Sequence, residues 1–170
     1  MGLSYVVGIP SGEMREFIDQ TSFLGFGIEG RQFINENVAF GVTFNWSKFR
    51  ETESVREVNR IDNQEHLIDT FPLLLNIDYY FLSEIATFRP FTGINTGIFF
   101  INRRDLTARG IFQDKNWHFG FAPEAGFMLE LFYDLNLMMI ARYNLPLASS
   151  SAYQYYYWSL HFTFVSIRIY

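Results

Sequence analysis

The chain has 170 residues, with 13 Lys+Arg against 18 Asp+Glu and a formal net charge of −5, which allows one domain or one closed sheet and gives no support to a basic nucleic-acid surface. It contains no cysteine, so disulfide frameworks, thiolate zinc sites and Cys nucleophiles are all excluded. Phe alone, at 20, outnumbers Lys and Arg together, yet no apolar run approaches the roughly 18 residues of a membrane helix, so any membrane role takes another architecture.

In chain order the dominant signal is period-two alternation. A short opening strand is predicted over 3–9. The link 10–21 follows, in which Met14, Phe17 and Ile18 keep helical spacing after Ser11, as in a short amphipathic turn lying on a rim or membrane surface. Leu24, Phe26 and Ile28 then alternate with Gly25, Gly27, Glu29 and Arg31, and a tight link at 34–37 leads into Val38, Phe40, Val42, Phe44 and Trp46. That arrangement reads as a hairpin. After a polar link at 50–64 come Phe71, Leu73, Leu75, Ile77, Tyr79 and Phe81, with Pro72, Leu74, Asn76, Asp78 and Tyr80 between them. A short link at 83–87 precedes Thr92, Ile94, Thr96, Ile98 and Phe100, and a second long polar link covers 103–116. Phe119, Phe121, Pro123, Ala125, Phe127, Leu129 and Leu131 oppose His118, Gly120, Ala122, Glu124, Gly126, Met128 and Glu130. Beyond Tyr133 and Asp134, Leu135, Leu137, Met139, Ala141, Tyr143 and Leu145 oppose Asn136, Met138, Ile140, Arg142 and Asn144. A last link at 148–154 and a closing strand over 155–170 bring the expectation to about eight strands.

Short turns thus fall at one end of the sheet and long loops at the other, with both termini at the short-turn end. A transmembrane up-and-down barrel has this sorting. The bulky residues of each strand then face outward, because an eight-stranded barrel has an interior only just wide enough for its side chains, and the opposite face is Gly, Ala, Ser, Thr and Asn. The runs reach roughly 12 to 16 residues, against about 9 to 11 needed to cross a bilayer. Two aromatic girdles are predicted: Phe33, Phe81, Phe88, Phe132, Tyr133 and Tyr170 at the turn end, and Phe23, Trp46, Phe49, Phe71, Phe100, Trp117 and Tyr155 to Trp158 at the loop end.

The segments 25–31 (GFGIEGR), 89–93 (RPFTG) and 119–126 (FGFAPEAG) resemble the small outer-membrane β-barrel family, the eight-stranded OmpA/OmpX/OmpW-like group, over essentially the whole chain. The resemblance implies an all-β, eight-stranded antiparallel up-and-down transmembrane barrel with three short turns and four longer loops. It further implies an outer-membrane location with both termini periplasmic, a removed signal peptide, and insertion by a barrel-assembly machinery that reads the C-terminal aromatic, here Tyr170. Leu160, Phe162 and Phe164 keep one parity while Val165, Ile167 and Ile169 take the other. Either a bulge near Phe164 and Val165 restores the alternation or the register of the last strand differs.

Glu29, Arg31, Asp78, Glu124, Glu130 and Arg142 fall on the small-residue face and are expected to form an interior charge network, since unpaired charge there is costly. With the 133–134 turn centred on Tyr133, Glu124 lies across from Arg142; a shifted register would oppose it to Asn144. Arg103, Arg104 and Arg109 are expected to meet anionic lipid headgroups at the outer rim. Ser159 and His161 share a face and form the candidate nucleophile and base of a lipid-modifying enzyme, a lipid A acyl hydrolase or acyltransferase. No metal spacing and no Gly-rich phosphate loop is present, so no cofactor is expected. Three functions therefore stand open: a non-enzymatic outer-membrane barrel with a filled, non-porin interior whose outer loops meet surface or host ligands, an outer-leaflet lipid-modifying enzyme, and a lipocalin-like carrier of an apolar ligand.

Overall fold

Alternating bulky and small residues become, in the computed structural model, eight antiparallel strands closed into one barrel in the order β1 to β8, with β8 pairing back on β1. The strands are β1 (Gly2–Pro10), β2 (Leu24–Phe33), β3 (Val38–Glu57), β4 (Arg60–Tyr80), β5 (Phe88–Thr107), β6 (Gly110–Phe132), β7 (Leu135–Leu147) and β8 (Tyr157–Val165). The structure describes residues 1–57, 60–81, 87–107, 110–132, 135–147 and 154–166, and of 53–57, 60–64 and 107 the backbone alone. Closure removes the unpaired sheet edges along the barrel wall. The outer wall carries Phe40, Val42, Phe44, Leu73, Leu75, Ile77, Ile94, Ile98, Phe119 and Phe121, all exposed.

Four expectations are corrected. The polar stretches at 50–64 and 103–116 are not loops: β3 pairs with β4 out to Glu57 opposite Arg60, and β5 with β6 out to Thr107 opposite Gly110. Polar residues predominate on these extensions and the few apolar ones keep no period of two, so paired strand carries no apolar alternation there. The 10–21 link does form a helix, α1 (Glu13–Phe17), entered through Gly12, whose φ of 57° favours glycine. It does not lie on a surface, because Met14 and Ile18 are fully buried with Phe49, Ile68, Phe99 and Tyr157 inside the barrel mouth. The girdles lose their inward members: Phe49, Tyr155 and Tyr157 belong to that mouth cluster, and Phe33 packs inside the turn end against Tyr80. Finally, β8 keeps one register on β1 and β7 through Val165, which is buried, so no bulge falls at Phe164 and Val165. Tyr133, Asp134, residues 83–86, 148–153 and Tyr170 lie outside the described residues.

Inside, three layers follow one another. The mouth cluster fills the loop end. Ala39, Tyr80, Phe91, Met128, Met138, Ile140 and Val165 fill the turn end, where the buried Arg89 guanidinium lies 4.6 Å from the Phe33 ring and 4.8 Å from that of Tyr80 and donates to the Glu36 carbonyl. A polar layer lies between the two.

Candidate functional site

That middle layer is built by period-two strands whose inward positions come round to one height. Arg31 on β2 donates Nη2 to Glu124 Oε1 at 2.8 Å and to Glu29 Oε2 at 3.3 Å, and its Nη1 binds Asp78. Arg142 on β7 donates Nε to Glu124 Oε2 at 2.7 Å, and its Nη2 stands 3.5 Å from Glu29 Oε1. Glu124 opposes Arg142 directly in the β6–β7 register. Every one of these side chains is at most 1% exposed. Amides complete the carboxylates: Asn95 Nδ2 reaches Glu124 Oε2 at 2.7 Å, and Asn76 Nδ2 reaches Asp78 Oδ2 at 2.6 Å. Gly93, opposite Asp78, leaves the room that carboxylate occupies, since a Cβ there would fall on Asp78 Oδ1. Charge-assisted bonds of this kind compensate much of the desolvation cost of the ions.

Glu130 does not join the network. It is exposed beside a register shift between Glu130 and Phe132, its backbone N–H bonded to the Thr87 carbonyl at 2.9 Å. Glu130 keeps the register of Glu124, opposite Asn136, but six residues further along β6 it stands at the turn end, beyond the middle layer.

Ser159 and His161 do come together, with His161 Nε2 2.9 Å from Ser159 Oγ and Nδ1 3.4 Å from Glu29 Oε1. A hydroxyl, an imidazole and a carboxylate in series have the geometry of an activated nucleophile. Chemistry also needs a substrate within reach. Here Asn144 Nδ2 already donates to Ser159 Oγ at 2.9 Å, Ser159 and His161 are 2% and 1% exposed, and the mouth cluster with α1 closes the space above. Sequence reasoning missed that His161 belongs to the charged layer, as do Asn76, Asn95 and Asn144. Their only local signal was inward parity.

At the loop end the rim arginines separate. Arg103 points inward: it bonds Asp105 at 3.0 Å and covers the Phe17 ring of α1 at 3.8 Å, while His66 Nδ1 meets the same Asp105 at 3.0 Å. Burial raises the nearby Tyr155 phenol above its ordinary pKa. Arg103 is therefore a strut for α1 and not a rim lipid contact. Arg104 faces outward and binds Asp69 at 2.5 Å, and Arg109 lies outside the described residues. Among the described residues no group of three or more His, Cys, Asp or Glu is arranged to hold a metal ion.

No protein-family model matches the chain, and no curated protein matches it. Solved structures do. The attachment invasion locus protein Ail of Yersinia pestis superposes with a TM-score of 0.54 at 10% identity, over 97% of this chain and 93% of that one. The N-terminal β-barrel domain of Pseudomonas aeruginosa OprF gives 0.53 at 12%, over 96% and 94%. Neisserial surface protein A gives 0.52 at 10%, over 98% and 94%. The fold is that of the small eight-stranded outer-membrane barrels.

Proposed function

We propose that this chain is a non-enzymatic outer-membrane barrel that crosses the bilayer with its termini on the periplasmic side, displays its β3–β6 extension outside, and conducts no large solute. The observation that carries this reading is the inversion of the usual soluble pattern: an apolar, aromatic outer wall surrounds a buried layer of ion pairs. A lipocalin-type carrier has the opposite arrangement. The first and last described residues meet at the turn end, where the Met1 amino group donates to the Ser166 carbonyl at 3.0 Å. Short turns on the periplasmic side fit insertion by the barrel-assembly machinery.

Surface interaction is assigned to the extension, on which Ile111 and Phe112 stand 72% and 71% exposed near the tip of the β5–β6 hairpin. Ail, one of the similar structures, has been solved with the heparin analogue sucrose octasulfate, and a surface or host ligand at the extension of this chain is part of the proposal. Access argues against the enzyme reading, since Ser159 and His161 are buried beside Asn144, Glu29 and Arg142. The test is folding from denaturant into detergent micelles. The folded chain migrates differently on a gel when unboiled and gives a β-dominated circular dichroism spectrum; a monodisperse monomer without detergent overturns the proposal.

A further inference from the structure

The chain has only two lysines, Lys48 and Lys115, and the fold places both in one row of the outer wall. The row runs Lys48 on β3, Asp69 on β4, Asn102 on β5 and Lys115 on β6, each residue opposite the next. Beside it on the turn-end side of each strand lie Phe71, Phe100 and Trp117, stacked at 5.9 and 4.8 Å between ring centres; Trp46 joins them on β3, 5.4 Å from Phe26. Such stacks mark a membrane interface. On the loop-end side lie Arg50 and Arg104.

The carboxylates of this patch are taken. Arg104 holds Asp69 at 2.5 Å and Arg50 holds Glu65 at 2.6 Å, whereas neither lysine forms an ion pair with any described residue. Two arginine charges are thus neutralised and two lysine charges are left facing outward. Barrel strands tilt, so the row climbs toward the loop end from β3 to β6. Three strand spacings of about 4.8 Å at a tilt near 40° lift Lys115 about 9 Å above Lys48.

We propose that Lys48 and Lys115 bind a phosphorylated glycolipid of the outer leaflet at two depths, Lys48 at the phosphates next to the acyl chains and Lys115 at phosphates on the outer sugars. An ordinary phospholipid carries its phosphate at one depth only and cannot reach both. Ammonium groups suit this contact as mobile point charges attracted to an anionic surface. The inference rests on the membrane reading above.

The two lysines make the experiment specific. Reductive methylation with 13C-formaldehyde keeps their charge and gives one resonance each, assigned with Lys48→Gln and Lys115→Gln, in the full chain folded into phosphatidylcholine nanodiscs. Bisphosphoryl lipid A is expected to shift Lys48 alone, and lipopolysaccharide with a phosphorylated core to shift both. The double Lys→Gln variant, still heat-modifiable, is expected to retain that lipopolysaccharide at least tenfold more weakly, and the double Lys→Arg variant to recover it. The proposal is overturned if phosphatidylglycerol at matched charge shifts both lysines, if inorganic phosphate shifts either lysine, if core-phosphorylated lipopolysaccharide leaves Lys115 unmoved, or if the Lys→Gln pair binds normally. Failure to enter the nanodisc overturns the membrane reading instead, so the two failures are distinct.

Discussion

Glu124 is the hub of the interior: its two oxygens take Arg31, Arg142 and Asn95 within 2.8 Å. Shielded from water, such a carboxylate differs from a surface ion, because deleting one member strands the charge of the other. Glu124→Ala and Arg142→Ala are each expected to destabilise the barrel by about 3 to 5 kcal/mol, and the double variant by less than the sum. Unfolding midpoints in micelles measure the cycle, and strictly additive losses would show that the pair is not coupled. Arg31 softens the loss at Glu124, since it keeps Glu29 and Asp78. Arg142 has Glu124 and the more distant Glu29, so its removal is felt mainly at Glu124.

At the scale of elements, α1 is held by side chains and not by its own hydrogen bonds, since five residues are too few to be stable alone. Met14 and Ile18 insert into the mouth cluster, Arg103 covers Phe17, and the Glu13 carboxylate accepts the Gln154 N–H at 2.9 Å. Met14→Asp puts a carboxylate among apolar side chains and is expected to undock the helix while leaving the strand ladder intact. Trypsin then cuts after Arg15 in the folded barrel, whereas the parent resists there; mass spectrometry of the fragments reads the difference. Unfolding of the whole barrel by this one change would assign α1 a larger role than a plug. The β3–β6 extension is the contrasting element, held by backbone pairing through a mostly polar sequence.

For the whole molecule, two apolar layers close a charged one, and the charges bind one another. An eight-stranded lumen has no spare cross-section once its side chains are in place. Planar-bilayer recordings are therefore expected to show no stable porin-like step, and reproducible nanosiemens openings from single barrels would contradict the filled interior. Undocking α1 with Met14→Asp is expected to leave the bilayer silent as well, because the charged layer and the turn-end cluster still block the path. That result separates a structural plug from a gate.

Strand number and inward parity were determined by the sequence alone, because each depends on a period of two; one hairpin turn narrowed the partner of Glu124 to Arg142 or Asn144, and the β6–β7 register chose Arg142. What only the tertiary structure decided lies across the barrel. His161 meets Glu29 and Arg31 meets Glu124 through register steps that accumulate around a closed sheet, and no local pattern encodes their sum. The same limit explains the misplaced residues. Phe33 and Phe49 are aromatic in either setting, and only their side of the wall separates a girdle from a core. Glu130 shares the parity of Glu124 but lies six residues away at the turn end, a height that period two does not encode. Beyond the apolar band, β3 to β6 continue as paired strand without alternation, since water on both faces removes the difference in solvation that writes strand into a sequence.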